Sequence, residues 1–93
     1  MKHVDGKNSK CAVKIYTLST CVWCKKTKNL LKTLDVAFDY EDVDLLDETE
    51  KEKVIKEMEK WVRAIAFPLI VVDNKKHISG FDETEIKKAL GTL

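Results

Sequence analysis

A stretch of β-forming residues, 11–18 (Cys-Ala-Val-Lys-Ile-Tyr-Thr-Leu), runs through Ser19 and Thr20 into a helical stretch that opens with Cys21-Val22-Trp23-Cys24. This junction constrains the fold more than any other feature of the chain. A mostly buried strand followed at once by a helix starts a βα unit, and such units build sheets with helices on their faces. The same junction carries the chemistry. Two thiols three positions apart close into a disulfide, and open again, with little backbone movement. The first of them falls at a helix N-terminus, where free backbone N–H groups and partial positive charge favour a thiolate. Only the thiolate attacks a disulfide, so the arrangement points to thiol–disulfide exchange.

The rest of the chain extends the βα pattern. A helix is predicted over residues 21–34, capped by Ser19 or Thr20, with Thr27, Leu30, Leu31 and Leu34 on one face. Residues 36–43 alternate as a strand through Phe38, Tyr40 and Val43. Two overlapping capping boxes, Asp47 with Glu50 and Thr49 with Glu52, precede a helix running to about residue 63. Its apolar stripe is Val54, Ile55, Met58, Trp61 and Val62, and its Lys/Glu face is solvated. Residues 67–72 form a continuous apolar run behind Pro68, as suits a strand that starts at a proline. Asp73-Asn74-Lys75-Lys76 is a turn, residues 77–79 are a short strand, and Asp82 with Glu85 caps a last helix that Gly91 ends. The expected fold is α/β in the order β-α-β-α-β-β-α, a four-stranded mixed sheet with helices on both faces. Residues 1–10 are expected to be a flexible tail and residues 11–93 the domain.

Ninety-three residues, 44% of them hydrophobic and 35% charged, make one small soluble domain, expected to be a monomer. A net charge of +1 gives no case for nucleic acid or an anionic membrane as partner. No run of eighteen apolar residues is present, and residues 1–10 lack the apolar core of a secretory signal. Three cysteines, an odd number, fit a reducing cytoplasm better than a secreted disulfide framework.

Three motifs, in order, give the chain a resemblance to the glutaredoxins, small proteins of the thioredoxin fold. They are Ile-Tyr-Thr-Leu-Ser-Thr-Cys-Val-Trp-Cys-Lys-Lys at residues 15–26, Ala66-Phe67-Pro68, and Ser79-Gly80-Phe81-Asp82-Glu83. The second stands where the family has Thr-Val-Pro with a cis proline, the third where it has Gly-Gly-Cys-Asp-Asp or a near variant. In detail, Val22 and the Ser-Gly-Phe segment are similar to the glutaredoxin-like redoxins that serve class Ib ribonucleotide reductase, which draw electrons from thioredoxin reductase. Leu18 occupies the position where glutathione-using members carry Lys or Arg.

The resemblance implies roles for individual residues. Cys21 is the nucleophile and Cys24 the thiol that releases the reduced product. Apart from the resemblance, helix geometry puts the positive charge of Lys25 one turn on and on the Cys21 face, and Trp23, beside the pair, is read as a substrate platform or as a cover for the disulfide. Pro68 faces the cysteines and presents the Phe67 backbone to substrate. Phe81 and Asp82 supply amides to a carboxylate, unless Asp82 and Glu83 read an amine. No tightly bound cofactor is expected; the electron donor is glutathione or a flavoprotein reductase such as thioredoxin reductase. The partner is a disulfide-bearing protein, ribonucleotide reductase among the candidates, or a low-molecular-weight disulfide. The rival from another class is a zinc or iron–sulfur module, with Cys21 and Cys24 joined by Cys11, His77 or a second chain. Otherwise Cys11 is a small residue at a strand start, Trp61 is core, and His77 lies on an edge strand.

Overall fold

In the computed structural model, described for residues 1–91, five strands and three α-helices follow the expected order with one strand added at the front. They are β1 (Lys2–Val4), β2 (Val13–Thr17), α1 (Val22–Thr33), β3 (Phe38–Asp42), α2 (Glu48–Glu59), β4 (Leu69–Val72), β5 (Lys76–Ser79) and α3 (Glu83–Leu90). A single 3-10 turn, Val43–Leu45, follows β3. The sheet order is β1-β3-β2-β4-β5; β2 and β3 are parallel, and the other neighbours are antiparallel.

Strand alternation explains why helices cover both faces. Ile15, Phe38, Ile70 and Val72 join Leu31 of α1 and Ile86 and Leu90 of α3 in one core cluster. Tyr16, Leu69 and Val71 point the other way and pack with Met58 of α2. Every residue of β4 is buried, because the strand is central and covered twice. This is the origin of its uninterrupted apolar sequence. Pro68 cannot donate to a ladder, so the strand starts one residue later, at Leu69, than a reading from hydrophobicity alone suggests. The helix caps agree with the local signals. Asp47 accepts from Glu50 N at 2.8 Å and Asp82 from Glu85 N at 3.1 Å. Gly91 ends α3 at φ 72°, where a side chain would be strained. Thr49 lies inside α2 and caps nothing, and the helix stops at Glu59, four residues short of expectation.

Residues 1–10 are not a free tail. Lys2–Val4 pairs antiparallel with β3, giving a fifth strand on what would have been an open edge. The segment behind it is laid on the main chain that leads into β3. Asn8 N donates to Asp35 O at 2.8 Å, and Ala37 N donates to Asn8 O at 3.0 Å. Between them, Gly6 approaches so closely that an added Cβ would lie 2.6 Å from Ala37 N, Asp35 O and Val36 C. His3 lies 2.7 Å from Asp39 and 2.9 Å from Asp5, and these carboxylates, Asp39 first, raise its pKa. A three-residue strand shows no measurable alternation, and its pairing energy comes from β3 rather than from its own sequence; hence the sequence reading missed it. Among the described residues no helix is long and apolar enough to cross a membrane.

Candidate active site

Three chain ends meet at one edge of the sheet: the end of β2, the start of β4 and the end of β5. Leu69 pairs with Tyr16 on one side and Ser79 on the other. One step further on, Gly80 N donates to Pro68 O at 2.8 Å. The turn after β2 is closed by Cys21 N donating to Leu18 O at 3.2 Å. The next residues form the N-terminus of α1. Sheets of this class place their sites at such strand ends.

Cys21 itself is the N-cap of α1. The expected caps, Ser19 and Thr20, do not fill this position. The Cys21 sulfur accepts from Cys24 N at 3.2 Å and so satisfies one of the orphan amides of the helix. No carboxylate stands in the first turn of α1 to oppose negative charge there. Ser19 is occupied elsewhere. Its N–H donates to Asp44 Oδ1 at 2.8 Å and its hydroxyl to Asp44 Oδ2, which ties the cysteine loop to the 3-10 turn after β3. These bonds hold the Asp44 carboxyl below its usual pKa.

The two thiols are free and sit in different surroundings. Cys21 is partly exposed, whereas Cys24 is fully buried. Burial pushes the Cys24 thiol up from 9.0 to about 12, with the Cys21 sulfur adding to the rise; the Leu18 backbone and the Lys28 charge act the other way. Lys28 lies one helical turn beyond Cys24. Its ammonium is 3.1 Å from Asp42 Oδ1 and 4.2 Å from the centre of the Tyr40 ring. Asp42 also accepts from the Thr17 hydroxyl at 2.6 Å. The spacing of four residues from Cys24 to Lys28 is visible in the sequence, but its partner Asp42 comes from a separate strand.

Of the other expected residues, Trp23 and Phe81 meet beside the cysteine pair. Trp23, 53% exposed, stacks on Phe81 with ring centroids 5.8 Å apart and planes at 27°. This contact joins the start of α1 to the connection before α3. Lys26 lies over the Trp23 ring at 4.4 Å, a residue the sequence reading did not single out. Lys25 is exposed on the second turn, where its amide donates to Cys21 O at 3.1 Å. The Phe67–Pro68 bond is cis, Pro68 is buried, and Phe67 packs on the α2 side of the sheet just outside the β4 ladder. Asp82 caps α3 through Oδ1, which accepts from Glu85 N, and Glu83 lies 3.2 Å from Lys87. Cys11 lies before β2, at the opposite end of that strand from Cys21, and His77 pairs with Val71 inside the β4–β5 ladder. Neither comes to the cysteine pair. Among the described residues, no three His, Cys, Asp or Glu side chains converge as a metal-ligand group. Trp61 is half-buried against the α2 core and tilts onto the His77 ring at 5.8 Å.

A helix-capping thiol above a buried one, flanked by a cis proline and a stacked aromatic pair, on a sheet of this order, marks a thioredoxin-fold redox protein. The glutaredoxin family model matches residues 13–78, and the chain belongs to the glutaredoxin family. A glutaredoxin-like 8.6 kDa protein in the rubredoxin operon of Clostridium pasteurianum is 36% identical over 78 residues, which span 84% of this chain and 96% of that protein. Glutaredoxin from Methanosarcina mazei superimposes with a TM-score of 0.90 at 44% identity, over 97% of this chain and 86% of its own. Methanoredoxin from Methanosarcina acetivorans does so at 0.83 and 48% identity, over 86% and 84% respectively. Membership of this family supports thiol–disulfide oxidoreductase chemistry in general.

Proposed function

We propose that this protein is a dithiol electron carrier that reduces disulfides, protein disulfides above all, through Cys21 and Cys24. The observation that carries the proposal is the inequality of the two thiols: one partly exposed at a helix cap, one buried with its proton held tightly. Cys21 thiolate attacks one sulfur of a substrate disulfide; that S–S bond breaks, a Cys21–substrate disulfide forms, and the departing sulfur takes a proton. Cys24 then gives up its proton and attacks the Cys21 sulfur. The second substrate sulfur leaves and is protonated, and the two electrons gained by the substrate are balanced by a Cys21–Cys24 disulfide. A buried Cys24 with a raised pKa does not compete for the first attack, and Lys28 nearby favours its ionisation when the second step calls for it.

The electron donor in this reading is a flavoprotein reductase of the thioredoxin-reductase type, with glutathione as the competing donor. Leu18 supports this choice: it is an apolar side chain in the loop before Cys21, where a cation would hold a glutathione carboxylate. The place of action is a reducing cytoplasm, and the enzyme that makes deoxyribonucleotides is a candidate substrate. Two experiments test the proposal. Cys21→Ser abolishes reduction of a protein disulfide, and Cys24→Ser traps a mixed disulfide with it. If Cys24→Ser turns over at the parent rate, the dithiol mechanism is wrong. Re-reduction of the oxidised protein by NADPH with thioredoxin reductase, run beside NADPH with glutathione and glutathione reductase, identifies the donor. Turnover with glutathione alone overturns the donor assignment.

A further inference from the structure

Exposed apolar surface on this molecule is concentrated at the cysteine pair. Among the described residues the exposed large hydrophobic side chains are Met1, Val22, Trp23 and Leu45. Val22, at 62%, and Trp23 stand between the two cysteines. Leu45, at 65%, is on the 3-10 turn that Asp44 ties to Ser19, so it borders the cysteine loop from the β3 side. Phe81 extends the Trp23 face toward α3. Isolated exposed apolar residues mean little, but three of four gathered around one reactive sulfur form a patch of the kind that partners cover.

The charge that α1 brings to the patch is one-sided. Helix α1 carries Lys25, Lys26, Lys28 and Lys32 and no acidic residue. Lys28 is committed to Asp42. Lys25 and Lys26 are exposed, and among the described residues no carboxylate lies within ion-pairing distance of either. The acids at the rim are already engaged: Asp44 by Ser19, Asp82 by the α3 amide it caps, and Glu83 by Lys87. These hydrogen bonds leave Asp44 and Asp82 charged, so the positive charge is local to the exposed start of α1, where Lys25 and Lys26 carry no ion-pair partner among the described residues, and unpaired charge at a rim steers encounter and selects partners.

We infer that the Val22–Trp23–Phe81 face with Lys25 and Lys26 docks a protein disulfide carried on an acidic segment. The apolar face excludes water around the exchanging sulfurs, and the two lysines select acidic residues beside the substrate cysteine. The inference rests on the dithiol reading above and adds the substrate's character to it. In the test, Cys24→Ser halts the reaction after the first exchange, with one S–S bond broken and one formed.

The probes are two peptides, each closed by one internal disulfide and alike except for three flanking Glu or three flanking Lys, together with the neutral bis(2-hydroxyethyl) disulfide. The readout is the ratio of the two peptides' rate constants for mixed-disulfide formation, so any change in the intrinsic reactivity of Cys21 cancels. Charge reversal by Lys25→Glu with Lys26→Glu lowers the Glu-to-Lys ratio by about 10-fold or more at low salt. Raising the salt to about 0.5 M shrinks the ratio in the parent toward that of the reversed protein. A ratio that charge reversal moves by less than twofold overturns the inference, since lysines with only a structural part slow both peptides alike. If the small disulfide reacts and the peptides show no charge preference, docking alone falls. If none of the three reacts, the exchange reading falls with it.

Discussion

Replacing Cys21 and Cys11 by Ser leaves Cys24 as the one thiol of the chain, and its reactivity is then a direct measure of the inequality on which the mechanism depends. Serine is a good N-cap and keeps a side-chain oxygen where the Cys21 sulfur accepted from the Cys24 amide. The Cys21 contribution to the raised pKa disappears, but burial, the first cause, stays. A thiol at about 12 rather than 9.0 has, at pH 8, roughly 1,000-fold less thiolate, which is the ceiling for the variant because its Cys21 share of the rise is gone. The more basic thiolate is also the better nucleophile; with a Brønsted slope of about 0.4–0.5, three units return roughly 20-fold. The net slowing from titration alone is therefore at most about 50-fold, and steric cover adds to it. The assay follows 4,4′-dithiodipyridine reacting with the double variant, folded and in urea, between pH 7 and pH 10. Cys24 in the folded protein, with burial and steric cover acting together, reacts about 10-fold or more slowly than in urea. Rates within threefold of each other refute the claim that burial withholds Cys24 from the first attack, and with it the division of roles between the two cysteines.

Four further outcomes follow from the same structure. The folded chain holds the protons of Cys24 and Tyr16 up to about pH 12, whereas an unfolded chain releases them near 9 and 10. Stability is therefore level below about pH 9 and falls between about pH 9 and 12, by up to about 4 kcal/mol for Cys24. Urea melts across that range check the direction, and an unchanged midpoint is the contrary result. Gly6→Ala pushes a methyl group into the main chain of residues 35–37 and costs about 1–3 kcal/mol, read from the thermal midpoint; a neutral effect means that the segment after β1 does not lie on the β3 lead-in as described. Asp42→Ala strands the half-buried Lys28 ammonium and costs about 1–3 kcal/mol in the same melts. Lys28→Met pushes Cys24 further up and slows the decay of a mixed disulfide at Cys21 in stopped flow, whereas an unaltered decay rate removes Lys28 from the second step.

Local signals in the sequence were enough for much of the site. The βα junction at Cys21, the Asp47 and Asp82 caps, the Gly91 stop and the strand behind Pro68 each depend on residues within one or two turns of one another. Their physics is local: hydrophobic period, orphan helix amides and the missing proline N–H. The resemblance of the three motifs then named the family. Features that join distant parts of the chain were not legible in this way. Cys21 displaced Ser19 as the helix cap because Asp44, 25 residues away, claims both the Ser19 amide and its hydroxyl.

The sequence by itself determined the element order, the two sheet faces and the identity of the reactive pair, because alternation and capping are written into neighbouring residues. Tertiary structure decided what surrounds that pair. It buried Cys24, set both Lys28 and Thr17 on Asp42, stacked Trp23 on Phe81, and drew residues 2–4 onto the β3 edge. Each of these is a contact between segments whose meeting depends on sheet register and helix packing, and no spacing along the chain encodes it.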